Sequence, residues 1–161
     1  MRHWAARHLV GPARRGGAVT GVDASAVGLE QAAARAASLG VHLTLVHADL
    51  AEYRAPAELF DLVLLANVHP TEPQRAATFA QAALAVAPGG RLLIVGHDLD
   101  NLGRDGPPAP ERLFTVERLR DALPAGLTVE LLERVEREPT GPAHGSRADV
   151  AVVAILTRPA G

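Results

Sequence analysis

The stretch FDLVLLANV, residues 60–68, is apolar almost without interruption. A strand with one wet face alternates apolar and polar side chains, whereas a strand covered on both faces of a parallel sheet does not. The run therefore predicts a central parallel strand, and RLLIVGHD (91–98) predicts a second. Between them Thr71 is placed to cap a helix over about 72–86, which Pro88-Gly89-Gly90 ends. Strand, helix and strand in this order make a right-handed crossover between parallel neighbours.

The same alternation extends outward in both directions. Upstream, VTGV (19–22) is a short β-branched run, and Ser25 can cap a helix over about 26–39 with Leu29, Ala33, Ala36 and Leu39 on one stripe. Gly40 stops that helix, and HLTLVHADL (42–50) reads as the next strand. Downstream, residues 99–111 are rich in Gly, Pro and Asp and read as a loop, followed by a helix over 115–123 capped by Thr115. LTVELLERVERE (127–138) and ADVAVVAILTR (148–158) have only the polar segment PTGPAHGSR between them, so they should pair antiparallel. The expected architecture is α/β: a mostly parallel sheet with a C-terminal antiparallel hairpin, in a single domain spanning 1–161.

Composition narrows the function classes. A chain of 161 residues, 48% hydrophobic and 21% charged, is sized for one folded domain. Sixteen basic against 18 acidic residues leave a net charge of -2, and aromatics are 3%, which argues against both phosphate attraction and base stacking by a nucleic-acid binder. There is no cysteine, which excludes disulfides, thiolate metal sites and thiol nucleophiles. Apolar runs such as LVLLA (62–66) are too short to span a bilayer, and MRHWAARHLV lacks a secretory apolar core, so no membrane role and a cytoplasmic location are expected. All 16 basic residues are arginine, a bias expected of a GC-rich bacterial genome.

In open α/β sheets ligands gather at the carboxyl ends of the strands. The polar residues there are Asp23, Asp49, Asn67, His69, His97, Asp98 and Asn101. A carboxylate at Asp23 can accept from two vicinal ribose hydroxyls, or it can simply favour the helix N-terminus that follows. Asp49 can accept from an exocyclic adenine amine, or serve its own turn.

The series VTGVDAS, VHADL, FDLVLLANVH, VAPGG and RLLIVGHDL, in this order and spacing, resembles the class I S-adenosylmethionine-dependent methyltransferases. Within them it looks most like the small bacterial tellurite-resistance and thiol methyltransferase-like branch. The resemblance runs from about residue 2 to 158 and implies a Rossmann-like sheet whose last strand is antiparallel. It also implies S-adenosyl-L-methionine as cofactor, with Asp23 and the adjoining Ala24 at the ribose and Asp49 at the adenine amine. Ala48 and Leu50 would flank the ring, with Ala66 to His69, Asn67 among them, near the methionine part and the methyl group.

One departure stands out. The family opens with a strand and a D-x-G-x-G-x-G loop, and nothing before Val19 supplies it. RHWAARHL (2–9) reads instead as the helix that should follow that loop, and Gly11, Gly16 and Gly17 as a connecting turn. The first strand is thus expected to be missing from between the strands at 19–22 and 60–68, leaving unpaired edges that favour self-association. A mis-set start or a truncated gene would explain it.

His69 and His97, at strand ends, are the candidate catalytic or substrate-positioning side chains. The seven histidines show no metal-ligand spacing, and no metal is expected. Loop 99–111, with Asn101, Arg104 and Asp105, is long enough to act as a lid. Two functions follow: methyl transfer to a small-molecule acceptor, or a truncated or degenerate methyltransferase fold that binds a partner without catalysis. A nicotinamide-dependent oxidoreductase is disfavoured by the absence of G-x-G-x-x-G and by the antiparallel ending.

Overall fold

The computed structural model describes residues 17–104, 106–137 and 149–161. The expected helix over 2–9, Gly11, Gly16, Asp105 and the turn joining the last two strands lie outside these residues. The chain divides into two compact units between Tyr53 and Arg54.

In the first unit, β1 (Thr20–Asp23) and β2 (Thr44–His47) form a two-stranded parallel sheet with Asp23 opposite His47. Helix α1 (Ala26–Ser38) makes the crossover and packs on both strands. Ser25 caps it as the sequence predicts, its hydroxyl accepting from the Gly28 N–H at 3.1 Å. Gly40, at φ +64°, takes the left-handed position that ends it. The buried stripe differs by one place: Ala32 and Ala36 are buried, with Leu29 and Leu39 half-buried, while Ala33 is exposed. With a helical period of 3.6, a spacing of 29, 32, 36 and 39 keeps to one line, and placing Ala33 on it breaks the line.

The second unit holds β3 (Phe60–Ala66), α2 (Gln74–Ala85), β4 (Val86–His97), α3 (Val116–Ala122), β5 (Thr128–Arg137) and β6 (Asp149–Thr157). Its four strands run in the order β3-β4-β6-β5. β3 and β4 are parallel, and β6 runs antiparallel to both β4 and β5, which confirms the expected antiparallel ending. Leu92, Ile94, Val152, Ala154 and Leu156 on one sheet face join Phe79 of α2 and Leu119 of α3, and Phe114, in a core with 0–1% exposure. Each fully buried side chain of this size contributes about 1.5–3 kcal/mol to folding.

Two expectations need correcting. FDLVLLANV was read as central and covered on both faces, yet among the described residues β3 pairs only with β4, at the margin of its sheet. Leu62 is 49% exposed and only Leu65 is buried. The strands with a neighbour on each side are β4 and β6. Thr71, second, does not cap α2 with its side chain: Pro73 precedes the helix without a side-chain bond, and the Arg75 N–H turns instead to the Thr71 carbonyl at 2.9 Å. Thr115 does cap α3, accepting from the Arg118 N–H at 3.2 Å.

Candidate functional site

The first unit brings five of the predicted positions together at the carboxyl ends of β1 and β2. Asp23 closes β1, and its Oδ1 accepts the Ser25 N–H at 2.8 Å. Its carbonyl accepts the Ala48 N–H at 3.2 Å, which continues the ladder past β2 and fixes Ala48 beside it. Asp49 repeats the device one strand over: its Oδ1 accepts the Ala51 N–H at 2.9 Å and its carbonyl accepts from Glu52 and Tyr53. In both aspartates one oxygen shapes the local turn and Oδ2 takes no hydrogen bond within the described structure. Asp49 and Ala24 are exposed, and Leu50 is half-buried. Gly28, in the first turn of α1, is the close neighbour of the first carboxylate: a Cβ there would stand 3.2 Å from Asp23 Oδ2. The sequence reading missed His47. Its Nε2–H donates to the Ala24 carbonyl at 2.9 Å, tying the end of β2 to the turn after β1.

The second unit holds the other candidates. Ala66 ends β3, and Asn67 follows it with φ +56°, a left-handed conformation that Asn tolerates better than most residues. Its N–H donates to the Val95 carbonyl at 2.7 Å, and its buried Oδ1 has no hydrogen-bond partner.

His69 has both ring nitrogens engaged. Nδ1–H donates to the Arg112 carbonyl at 2.8 Å, and Nε2 accepts the His97 N–H at 3.3 Å. This pair of bonds fits only the neutral tautomer. Burial, reinforced by the charges of His97, Arg75 and Arg112, pushes its pKa down to about 4 against the opposing Arg112 carbonyl. At neutral pH His69 is an uncharged brace with no lone pair to spare for proton abstraction. His97 is 5% exposed and stacks on His69, ring centroids 5.3 Å apart. Its Nδ1 lies 3.9 Å from Asp149 Oδ1, and the Gly106 backbone closes over the ring.

Phe114 packs against His69 and Phe79, and the Arg75 guanidinium sits 5.3 Å from its ring centroid. Gly96 is required for this packing, because a Cβ there would overlap Phe114 Cε2 at 2.2 Å. The loop expected as a lid is anchored at its start. Asn101, 1% exposed, donates to the Val150 carbonyl and accepts the Val150 N–H, while across the two ends of the loop the Leu99 N–H donates to the Phe114 carbonyl and the Phe114 N–H to the His97 carbonyl. Among the described residues no three His, Asp or Glu side chains gather as a metal site would need, and no helix is long and apolar enough to cross a membrane.

A parallel crossover with acidic residues at adjacent strand ends in one unit, and in the other a sheet whose last strand runs antiparallel between two others, are features of the Rossmann-like fold of the class I methyltransferases. Solved structures share it. N-methyltransferase NodS from Bradyrhizobium japonicum aligns over 96% of this chain and 94% of its own at 19% identity, TM-score 0.64. An S-adenosylmethionine-dependent methyltransferase from Methanosarcina mazei aligns over 94% and 87% at 16% identity, TM-score 0.70. TehB from Haemophilus influenzae aligns over 94% of this chain but 54% of its own at 12% identity, TM-score 0.73, a likeness of fold that does not single out its branch. No curated protein matches the chain in sequence. The family model described as "Methyltransferase domain" matches residues 5–90, more than half of the sequence. The chain belongs to that family.

The residues present fit the cofactor of such a fold. Two carboxylates at neighbouring strand ends, each with one oxygen uncommitted, match the paired hydroxyls and the amine of an adenosine, and Gly28 leaves the room beside Asp23 that a side chain would fill.

Proposed function

We propose that the protein transfers a methyl group from S-adenosylmethionine to a small-molecule acceptor in the cytoplasm. The observation that carries this reading is the Asp23 carboxylate, fixed through Oδ1 by the Ser25 N–H and open at Oδ2 beside Gly28. When bound, S-adenosylmethionine supplies an electrophilic methyl on its sulfonium. Asp23 accepts from the ribose hydroxyls, and Asp49 accepts from the adenine amine. Ala24, Ala48 and Leu50 bound the nucleoside.

No general base is assigned. His69 is neutral with both nitrogens occupied, and His97 is enclosed. The chemistry then rests on aligning acceptor and methyl, which can itself supply roughly 7–11 kcal/mol of barrier reduction. A nucleophile that is already deprotonated or uncharged at neutral pH suits such a site.

Calorimetric titration with S-adenosylhomocysteine tests the proposal. Micromolar binding to the wild type, weakened roughly 10- to 100-fold in Asp23→Asn, is expected from the loss of a charged acceptor. Absence of wild-type binding would overturn the cofactor assignment. Binding without methyl transfer to any thiol, amine or oxyanion acceptor would leave the non-catalytic reading in its place.

A further inference from the structure

The Ala24–Ser25 peptide is held at both ends. Its carbonyl, on Ala24, accepts the His47 Nε2–H at 2.9 Å, and its N–H, on Ser25, donates to Asp23 Oδ1 at 2.8 Å. A trans peptide is planar and rigid, so its C=O and N–H point in opposite directions and turn together. Rotating the carbonyl away from His47 rotates the N–H away from Asp23. The two bonds are therefore one relay: imidazole, peptide plane, carboxylate. Polarisation runs the same way, because a donor at the amide oxygen makes the amide N–H a better donor at the far side.

Without this clamp the Asp23 side chain rotates about two torsions. With it, Oδ1 is committed to Ser25 and Oδ2 has a single direction, past Gly28. The register supplies the reach: Asp23 and His47 are opposite one another in the ladder, so the imidazole extends from the neighbouring strand end over the turn after β1.

We infer that His47 is a positioning residue for the nucleoside, acting through the Ala24–Ser25 peptide to aim the Asp23 carboxylate. The inference rests on the cofactor reading above and names a residue that reading does not include. His47 does not touch the ligand; it sets the direction of the group that does.

The test is a double-mutant cycle on S-adenosylhomocysteine binding, with thermal melting to show that each variant is folded. His47→Phe keeps an aromatic ring of similar bulk and removes the donor; it should weaken binding about three- to tenfold, the worth of one neutral hydrogen bond. On an Asp23→Asn background the same change should cost little, because the carboxylate that His47 aims is already gone. His47→Gln should restore binding, since the glutamine amide nitrogen lies the same number of bonds from Cβ as the histidine Nε2. A merely structural histidine gives losses that add to those of Asp23→Asn, and that additivity would overturn the inference. So would unchanged binding in a folded His47→Phe, or a His47→Gln no better than His47→Phe. If the wild type itself binds no S-adenosylhomocysteine, the cofactor reading fails first and the inference with it. Loss confined to the variants leaves the cofactor reading standing.

Discussion

At the residue scale two glycines and one histidine carry the sharpest consequences. Gly28→Ala places a methyl 3.2 Å from Asp23 Oδ2 in a helix where alanine is otherwise favoured. The expected outcome is a split: a melting temperature equal to or above that of the wild type, with S-adenosylhomocysteine affinity reduced about tenfold or more as Oδ2 is crowded. Gly96→Ala is different, because the new methyl collides with the Phe114 ring in the middle of the core. It should destabilise by about 1–3 kcal/mol, read as a lower denaturation midpoint with unchanged slope.

His69 adds a pH dependence. Its folded pKa of about 4 lies below the ordinary 6.5. The unfolded chain thus binds a proton more readily, and stability falls as pH drops from about 6.5 to about 4, then levels off. The full loss is roughly 3 kcal/mol. In thermal melts, His69→Asn should lower stability at pH 7 and flatten the decline below pH 6.5; an unchanged slope would assign the titration elsewhere.

At the element scale the sequence was most legible where punctuation and periodicity agreed. Ser25 and Thr115 cap their helices as read, and the two C-terminal strands pair antiparallel, as expected of runs joined by a short polar segment. It was least legible where tertiary pairing decides. An apolar run reports that a strand prefers burial, not which strand lies beside it, so β3 was read as central when β4 and β6 are the strands flanked on both sides. The site shows the same division. Asp23 and Asp49 could be found because a strand end before a turn is a local pattern. His47 could not, because its partner is a carbonyl 23 residues away and backbone acceptors carry no sequence signature.

Asn101 belongs to this scale as well. It was read as part of a lid and is instead the bolt between the loop and β6, buried with two bonds to the Val150 backbone. Asn101→Ala takes away the bond to the Val150 N–H and leaves the Val150 carbonyl only the Asp98 N–H, and should cost about 1–3 kcal/mol in chemical denaturation. A loss below 0.5 kcal/mol would mean that the loop is not held there.

At the scale of the whole molecule the two units differ in how much each can protect. The first buries only Gly21, Ala32 and Ala36 among its described residues, small side chains behind a two-stranded sheet. A two-stranded sheet is marginal in water, and little apolar area adds to it. The second buries Phe79, Phe114, Leu92, Ile94 and Leu156. Native-state hydrogen exchange should therefore be slowest in β4 and β6 and fastest across β1, α1 and β2. S-adenosylhomocysteine should slow exchange at the Ser25, Gly28, Ala48 and Ala51 amides, the ones ordered around the two carboxylates. Uniform exchange across both units would contradict this division.

The position of β6 has a consequence for synthesis on the ribosome. The last strand to leave the exit tunnel is the one that lies between β4 and β5. Until residues 149–157 emerge, β4 and β5 have no common partner, and Leu92 and Ile94 stay without the Leu156 and Ala154 that face them. From the completion of β4 at His97 until β6 emerges, the nascent chain carries an open, sticky edge, then closes it in one late step. Such an edge is prone to aggregate during that interval, and a premature stop anywhere before Asp149 removes the centre of the sheet instead of trimming its border.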